Sequence, residues 1–151
     1  MAEMKRKGLT EAANRYLAEF YLHPDSFARA MGAGDYAAWH QDGRTSNSPS
    51  RYCTYWVALD SCGVDCPGLE LVTYPFRSFC PAGPAKAPRA PYDWSMNEDL
   101  IIPETRFAPK FEPGDLLIFN KYIAHATQIV PGATRARHSL DFRLHSRQRE
   151  D

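Results

Sequence analysis

His40 and Asp42 stand one residue apart in the run Ala37-Ala38-Trp39-His40-Gln41-Asp42-Gly43-Arg44. On an extended chain that spacing sends both side chains to one face, so two metal-binding residue types aim at one point. The pair alone is weak, because a chain of this composition would contain a His-x-Asp about one time in three by chance. His125, far along the chain, supplies a third donor. Two imidazoles and one carboxylate, with the remaining positions open, make the facial triad that suits non-haem Fe(II). Neutral imidazoles and a single carboxylate leave net positive charge on such a metal, which suits an anionic chelating co-substrate. That molecule needs a second anchor. Arg135 and Arg137 follow His125 closely, and a planar guanidinium fork matches a carboxylate bidentately.

The elements around these residues have to bring them together. Residues 9 to 31 carry Ala12, Ala13, Tyr16, Leu17, Phe20 and Tyr21 at helical spacing. They predict a helix, a break at Pro24-Asp25 and a second short helix over Ser26 to Met31, ended by Gly32 and Gly34. A strand then runs from Asp35 into His40, and residues 43 to 50 form a loop. The aromatic and β-branched stretch 51–60 predicts a strand, and 69–76, 99–103 and 116–119 predict others. Residues 134–146 form the last strand, with sharp alternation. Arg135, Arg137, Ser139, Asp141 and Arg143 share one face; Ala136, His138, Leu140, Phe142 and Leu144 share the other. The proline-rich segment 80–98 predicts a long surface loop, of the kind that forms lids and substrate walls. Short strands without βαβ alternation predict a mainly β barrel or jelly roll behind an N-terminal helix. The chain reads as one domain, helical over 1–34 and barrel over 35–144, with a charged tail at 145–151.

Bulk properties narrow the class. Lys+Arg and Asp+Glu both number 18, for zero net charge. That argues against a nucleic-acid or membrane-surface partner chosen by bulk electrostatics. No apolar run approaches the roughly 20 residues of a membrane span, and the first residues lack a secretory apolar core. A cytoplasmic protein is expected. Cys62 and Cys66 form a lone C-x3-C with no second ligand pair, which argues against structural zinc. With Cys53 and Cys80 they read as reduced structural thiols. His23, His138 and His145 read as structural or exposed.

Several motifs occur together and in order: "WHQDG" at 39–43, "YWVALD" at 55–60, "PGLELV" at 67–72, "PGDLLIF" at 113–119 and "AHATQIVPGATRARHSLDFR" at 124–143. In identity, order and separation this set resembles the phytanoyl-CoA dioxygenase-like family of Fe(II)/2-oxoglutarate-dependent oxygenases, over about residues 35–144. The resemblance implies a double-stranded β-helix, a jelly-roll or cupin-like barrel. It implies His40, Asp42 and His125 as iron ligands, with 2-oxoglutarate and O2 as co-substrates. It places Gln41 and Trp56 against 2-oxoglutarate. Arg135, ten residues beyond His125, is the first choice for its far carboxylate, with Arg137 in reserve and Ser139 on the same face. The implied reaction hydroxylates a small-molecule C–H bond and releases succinate and CO2. Asp42 stands where related halogenases lack the carboxylate, which argues against halogenation. Only 39 residues precede His40, fewer than the family usually carries, so a shortened major sheet is expected, or a homodimer that completes it. Two other classes stay open. One is a metal-binding relative with lost or reduced turnover that acts as a binding module. The other is a cupin-type enzyme, although His-x-His followed by Glu is absent.

Overall fold

The computed structural model describes residues 9–24, 26–43, 50–74, 76–89 and 95–149. Its elements are α1 (Leu9–Leu17), β1 (Phe20–Leu22), β2 (Phe27–Met31), β3 (Ser50–Ala58), β4 (Leu69–Val72), β5 (Arg106–Phe107), β6 (Leu116–Asn120), β7 (His125–Thr127) and β8 (Arg137–Arg149). The larger sheet runs β1-β8-β3-β6, and β2 also pairs with β8. The smaller runs β5-β4-β7. All pairings are antiparallel. The two sheets pack face to face through Trp56, Ala58 and Phe119 from the larger and Leu69 and Leu71 from the smaller. The fold is a mainly β jelly roll of two sheets that do not close into a continuous barrel.

Alternation on β3 explains why that strand is buried along most of its length. Thr54 and Trp56 face the space between the sheets. Cys53 and Tyr55 point outward, where Ala13 and Leu17 of α1 cover them together with Leu144. The same alternation sorts β8. Its polar residues Arg137, Ser139, Asp141 and Arg143 are all buried, at most 9% exposed, while on the opposite face Leu140 is 39% exposed and Leu144 is buried beneath α1.

The structure corrects the N-terminal reading. The helix ends at Leu17, and Ala18 turns the chain with a positive φ of 55°. Phe20 and Tyr21 belong to β1, and the segment predicted as a second helix is strand β2. Its register runs from Phe27↔Asp141 to Met31↔Arg137. Ala, Arg and Met favour a helix locally, but five residues are too few to outweigh a ladder with β8. Residues 35–40 form isolated bridges and no full strand. The predicted strand 99–103 is two 3-10 turns, Glu98–Leu100 and Pro103–Thr105, in keeping with the proline that opens the second. β8 continues through the expected tail to Arg149, which pairs with Ser50. Most of the loop 43–50 and part of the segment 80–98 lie outside the described residues.

Candidate metal centre and its cavity

His40 and His125 are directly opposed, each accepting and donating a backbone hydrogen bond with the other at 3.0 Å. Opposed residues of an antiparallel pair share a face, and the two imidazole centroids lie 4.1 Å apart. Each ring is oriented by its own chain. His40 Nδ1 meets the Ala38 carbonyl at 2.8 Å, and His125 Nδ1 meets the Ile123 carbonyl at 3.1 Å. A backbone acceptor on Nδ1 fixes the tautomer and leaves Nε2 as the ligating atom. Both Nε2 atoms face Asp42 Oδ1, at 3.7 and 3.6 Å. The three donor atoms lie within 4.8 Å of one another.

For His40 and Asp42 the protonation states are those a metal requires. Burial, then the neighbouring His125, lowers the His40 imidazole to about 3 against the pull of Asp42, so it is neutral at physiological pH. For Asp42, burial works against ionisation but is outweighed. His125, Arg143 and His40, with a hydrogen bond from Thr54, hold its carboxyl well below the usual range. Thr54 Oγ1 donates to Oδ2 at 2.5 Å, and Arg143 Nη2 lies 3.3 Å from Oδ1.

The triad opens on a cavity of about 100 Å³ between the sheets. Trp56, Leu69 and Phe119 give it apolar walls, and Arg29, Arg137 and Asp141 bring charge. Arg137 is 2% exposed. It donates from Nη1 to the Gly68 carbonyl at 2.7 Å and lies over the Trp56 ring at 5.4 Å. Its Nε is buried with no partner among the described residues.

The expected site residues divide. His40, Asp42 and His125 converge, and Trp56 and Arg137 line the same cavity. Ser139 is fully buried on the Arg137 face of β8, without lining the cavity. Arg135 is elsewhere. It precedes β8, so the strand alternation does not reach it. Its exposed guanidinium pairs with both Asp65 carboxylate oxygens at 2.6 Å. Gln41, between the ligands, points away from them. It is fully buried, donates to the Ser78 and Tyr122 carbonyls and accepts from the Cys80 amide. Its amide stitches the ligand segment to two loops.

Sequence reasoning did not single out Thr54, Arg29, Asp141 and Arg143. Alternation with Trp56 would have found Thr54, and the polar face of the last strand already held Asp141 and Arg143. Arg29 carried no signal, since its segment read as helix. No helix among the described residues is long and apolar enough to cross a membrane.

Neither a protein-family model nor a curated protein matches the chain. Solved structures do match it in fold. AviO1 from Streptomyces viridochromogenes Tue57 superposes with a TM-score of 0.63 at 13% identity, over 98% of this chain and 61% of that one. EvdO2 from Micromonospora carbonacea var. aurantiaca, complexed with 2-oxoglutarate, gives 0.64 at 19% identity, over 94% and 62%. EctD from S. alaskensis with bound Fe gives 0.69 at 16% identity, over 98% and 55%. The chain thus spans between half and two thirds of these proteins.

Proposed function

We propose that this protein is a non-haem Fe(II)- and 2-oxoglutarate-dependent dioxygenase, phytanoyl-CoA dioxygenase-like in kind, that oxidises a C–H bond of a small molecule. The observation that carries the reading is the convergence of His40 Nε2, His125 Nε2 and Asp42 Oδ1 at a cavity that also holds a buried arginine with an unpartnered Nε. Likeness in fold to proteins solved with Fe and with 2-oxoglutarate supports it.

The donor set fits Fe(II): two oriented imidazoles and one carboxylate, with no fourth protein ligand among the described residues. With 2-oxoglutarate and O2, Fe(II) supplies oxidative decarboxylation to succinate and CO2 coupled to hydroxylation of a C–H bond. The chain's own work is to bind and orient. Thr54 and Arg143 hold the Asp42 carboxylate in place. Arg137, and not Arg135, takes the far carboxylate of 2-oxoglutarate, because it is inside the cavity and its Nε lacks an acceptor. Ser139 Oγ, on the same face, is buried without a partner among the described residues but lies outside the cavity lining. Trp56 walls the cavity and stacks on the Arg137 guanidinium, which limits its rotation and keeps water from the pair. A cytoplasmic setting belongs to the same proposal, in keeping with four buried cysteines that form no disulfide.

Anaerobic titration of the protein with Fe(II) and 2-oxoglutarate tests the reading, through the visible metal-to-ligand charge-transfer band. A saturable band is expected, and Arg137→Ala should weaken 2-oxoglutarate binding more than about tenfold. Arg135→Ala should leave it unchanged. No band in the wild type sinks the reading. A band without succinate formation in oxygen favours the binding-module alternative.

A further inference from the structure

Three guanidinium groups, of Arg29, Arg137 and Arg143, and two carboxylates, of Asp42 and Asp141, meet at the cavity or at its metal carboxylate. Under the dioxygenase reading, on which this inference rests, a divalent metal and a dianionic co-substrate cancel in charge. One positive charge is then left at the cavity and its rim, where water screens it only in part. The ligand still to be accounted for should bring a negative charge.

Arg137 and Arg143 face the co-substrate and Asp42, which leaves Arg29. Arg29 meets Asp141 Oδ2 through Nε, and its side chain is 43% exposed at the rim of the cavity. A guanidinium has five N–H donors, so its Nη edge remains for a second acceptor. Asp141 is 9% exposed, and its Oδ1 is buried with no partner among the described residues. A donor edge and an acceptor therefore sit side by side. Their location is set by register. Arg29 lies opposite Ser139, and Asp141 lies opposite Trp56, one inward position along β8 from Arg143, which touches Asp42. A molecule held by this pair lies beside the metal centre.

We propose that Arg29 and Asp141 form the recognition pair for the primary substrate, and that this substrate is a small carboxylate with a hydroxyl or ammonium donor next to the carboxylate. Arg29 takes the carboxylate and Asp141 accepts from the neighbouring donor.

The test uses L-lactate and L-alanine as probes, with lactamide and alaninamide as controls that lack the carboxylate. Binding is read by calorimetry on the protein loaded with Mn(II) and 2-oxoglutarate, and again on the metal-free protein. At least one acid should bind at least about tenfold more tightly than its amide. Arg29→Gln should remove that preference, and Asp141→Asn should weaken the acid about tenfold. Both variants should bind 2-oxoglutarate as the wild type does. Preference for lactate or for alanine assigns the donor as hydroxyl or ammonium, and either upholds the pair. Neither acid preferred over its amide overturns it, as does a preference that survives Arg29→Gln. Loss of 2-oxoglutarate binding in Arg29→Gln also overturns it, since Arg29 would then be the co-substrate anchor. Should Arg29→Gln fail to fold, unchanged acid affinity in Asp141→Asn overturns it alone. If the wild type binds no 2-oxoglutarate yet keeps an Arg29-dependent preference for the acid, the dioxygenase reading fails and the recognition pair stands.

Discussion

Thr54 Oγ1 donates to Asp42 Oδ2 at 2.5 Å, and this one bond divides the carboxylate between two tasks. Oδ2 is held by the larger sheet, while Oδ1 faces both imidazoles. Thr54 and Arg143 are cross-strand partners in the β3–β8 register, so one rung of that ladder grips the carboxylate from two sides. Partners of this kind orient metal ligands, and their loss typically costs 10- to 100-fold in metal affinity. Thr54→Val keeps the shape and removes the donor. It should lower Mn(II) or Fe(II) affinity about tenfold in a calorimetric titration, and Thr54→Ser should restore it. Unchanged affinity in Thr54→Val would show that the hydrogen bond does not position the ligand.

The three converging candidate ligands were legible because their chemistry is local to a few residue types and their order along the chain is specific. The candidate carboxylate anchor was harder to read. Alternation placed Arg137, Ser139, Asp141 and Arg143 on one face of a strand, but it does not say which face is inside. A charged face usually meets water. Here it meets the cavity, and Leu140 and Phe142 lie on the outer side, where Phe142 packs beside the cluster beneath α1. Arg135 lies outside the cavity for a related reason: it precedes the first paired residue of β8, where alternation has no meaning. β2 was illegible because its strand character comes from pairing with β8 and not from its own residues. Arg29 was hidden with it.

Among the described residues, helix α1 packs on the outer face of the sheet, away from the cavity, which separates stability from chemistry. Leu17 is 1% exposed and packs with Cys53, Tyr55 and Leu144. Leu17→Ala should cost about 2–5 kcal/mol of unfolding free energy, measured by urea denaturation. Metal affinity of the folded fraction should stay unchanged, since the residues that Ala13 and Leu17 pack against include none of the three candidate ligands. A loss of affinity that tracks the loss of stability would mean that the outer face also sets the site.

Burial raises the Cys53 and Cys62 thiols to about 11, from an ordinary value of 9.0. Between those limits the unfolded chain gives up the thiol protons and the folded chain keeps them. The folded state then binds more protons, so stability falls as pH rises. The contribution is fully present below pH 9 and is lost toward pH 11. The urea midpoint should drop between pH 8.5 and 10.5, and more steeply in the wild type than in Cys53→Ala/Cys62→Ala. At pH 8 only about one such thiol in a thousand is ionised, so Ellman's reagent should react slowly with the native protein and with all four thiols in denaturant. Equal slopes in the two proteins, or prompt labelling of Cys53 or Cys62, would contradict the burial argument.

Gly43 follows the metal carboxylate directly, and its lack of a side chain lets an aromatic ring close over it. A Cβ at this position would lie 2.2 Å from Phe79 Cζ and 3.2 Å from Lys121 Cβ. Phe79 packs on Tyr122 with centroids 5.1 Å apart, and the Tyr122 carbonyl accepts from the Gln41 amide at 2.8 Å. Displacing the ring therefore strains the segment that carries Asp42. Gly43→Ala should weaken metal binding about tenfold, in the range expected for a misplaced ligand. Phe79 is 38% exposed, so Phe79→Ala should fold and bind metal nearly as the wild type does. The double variant Gly43→Ala/Phe79→Ala should recover most of the affinity lost by Gly43→Ala, because the severe clash with the ring is removed and only the milder approach to Lys121 Cβ at 3.2 Å remains. That non-additivity is the signature of a steric coupling between the two positions. If the double variant binds metal no better than Gly43→Ala, the glycine is needed for the backbone path beyond Asp42 and not for the ring above it.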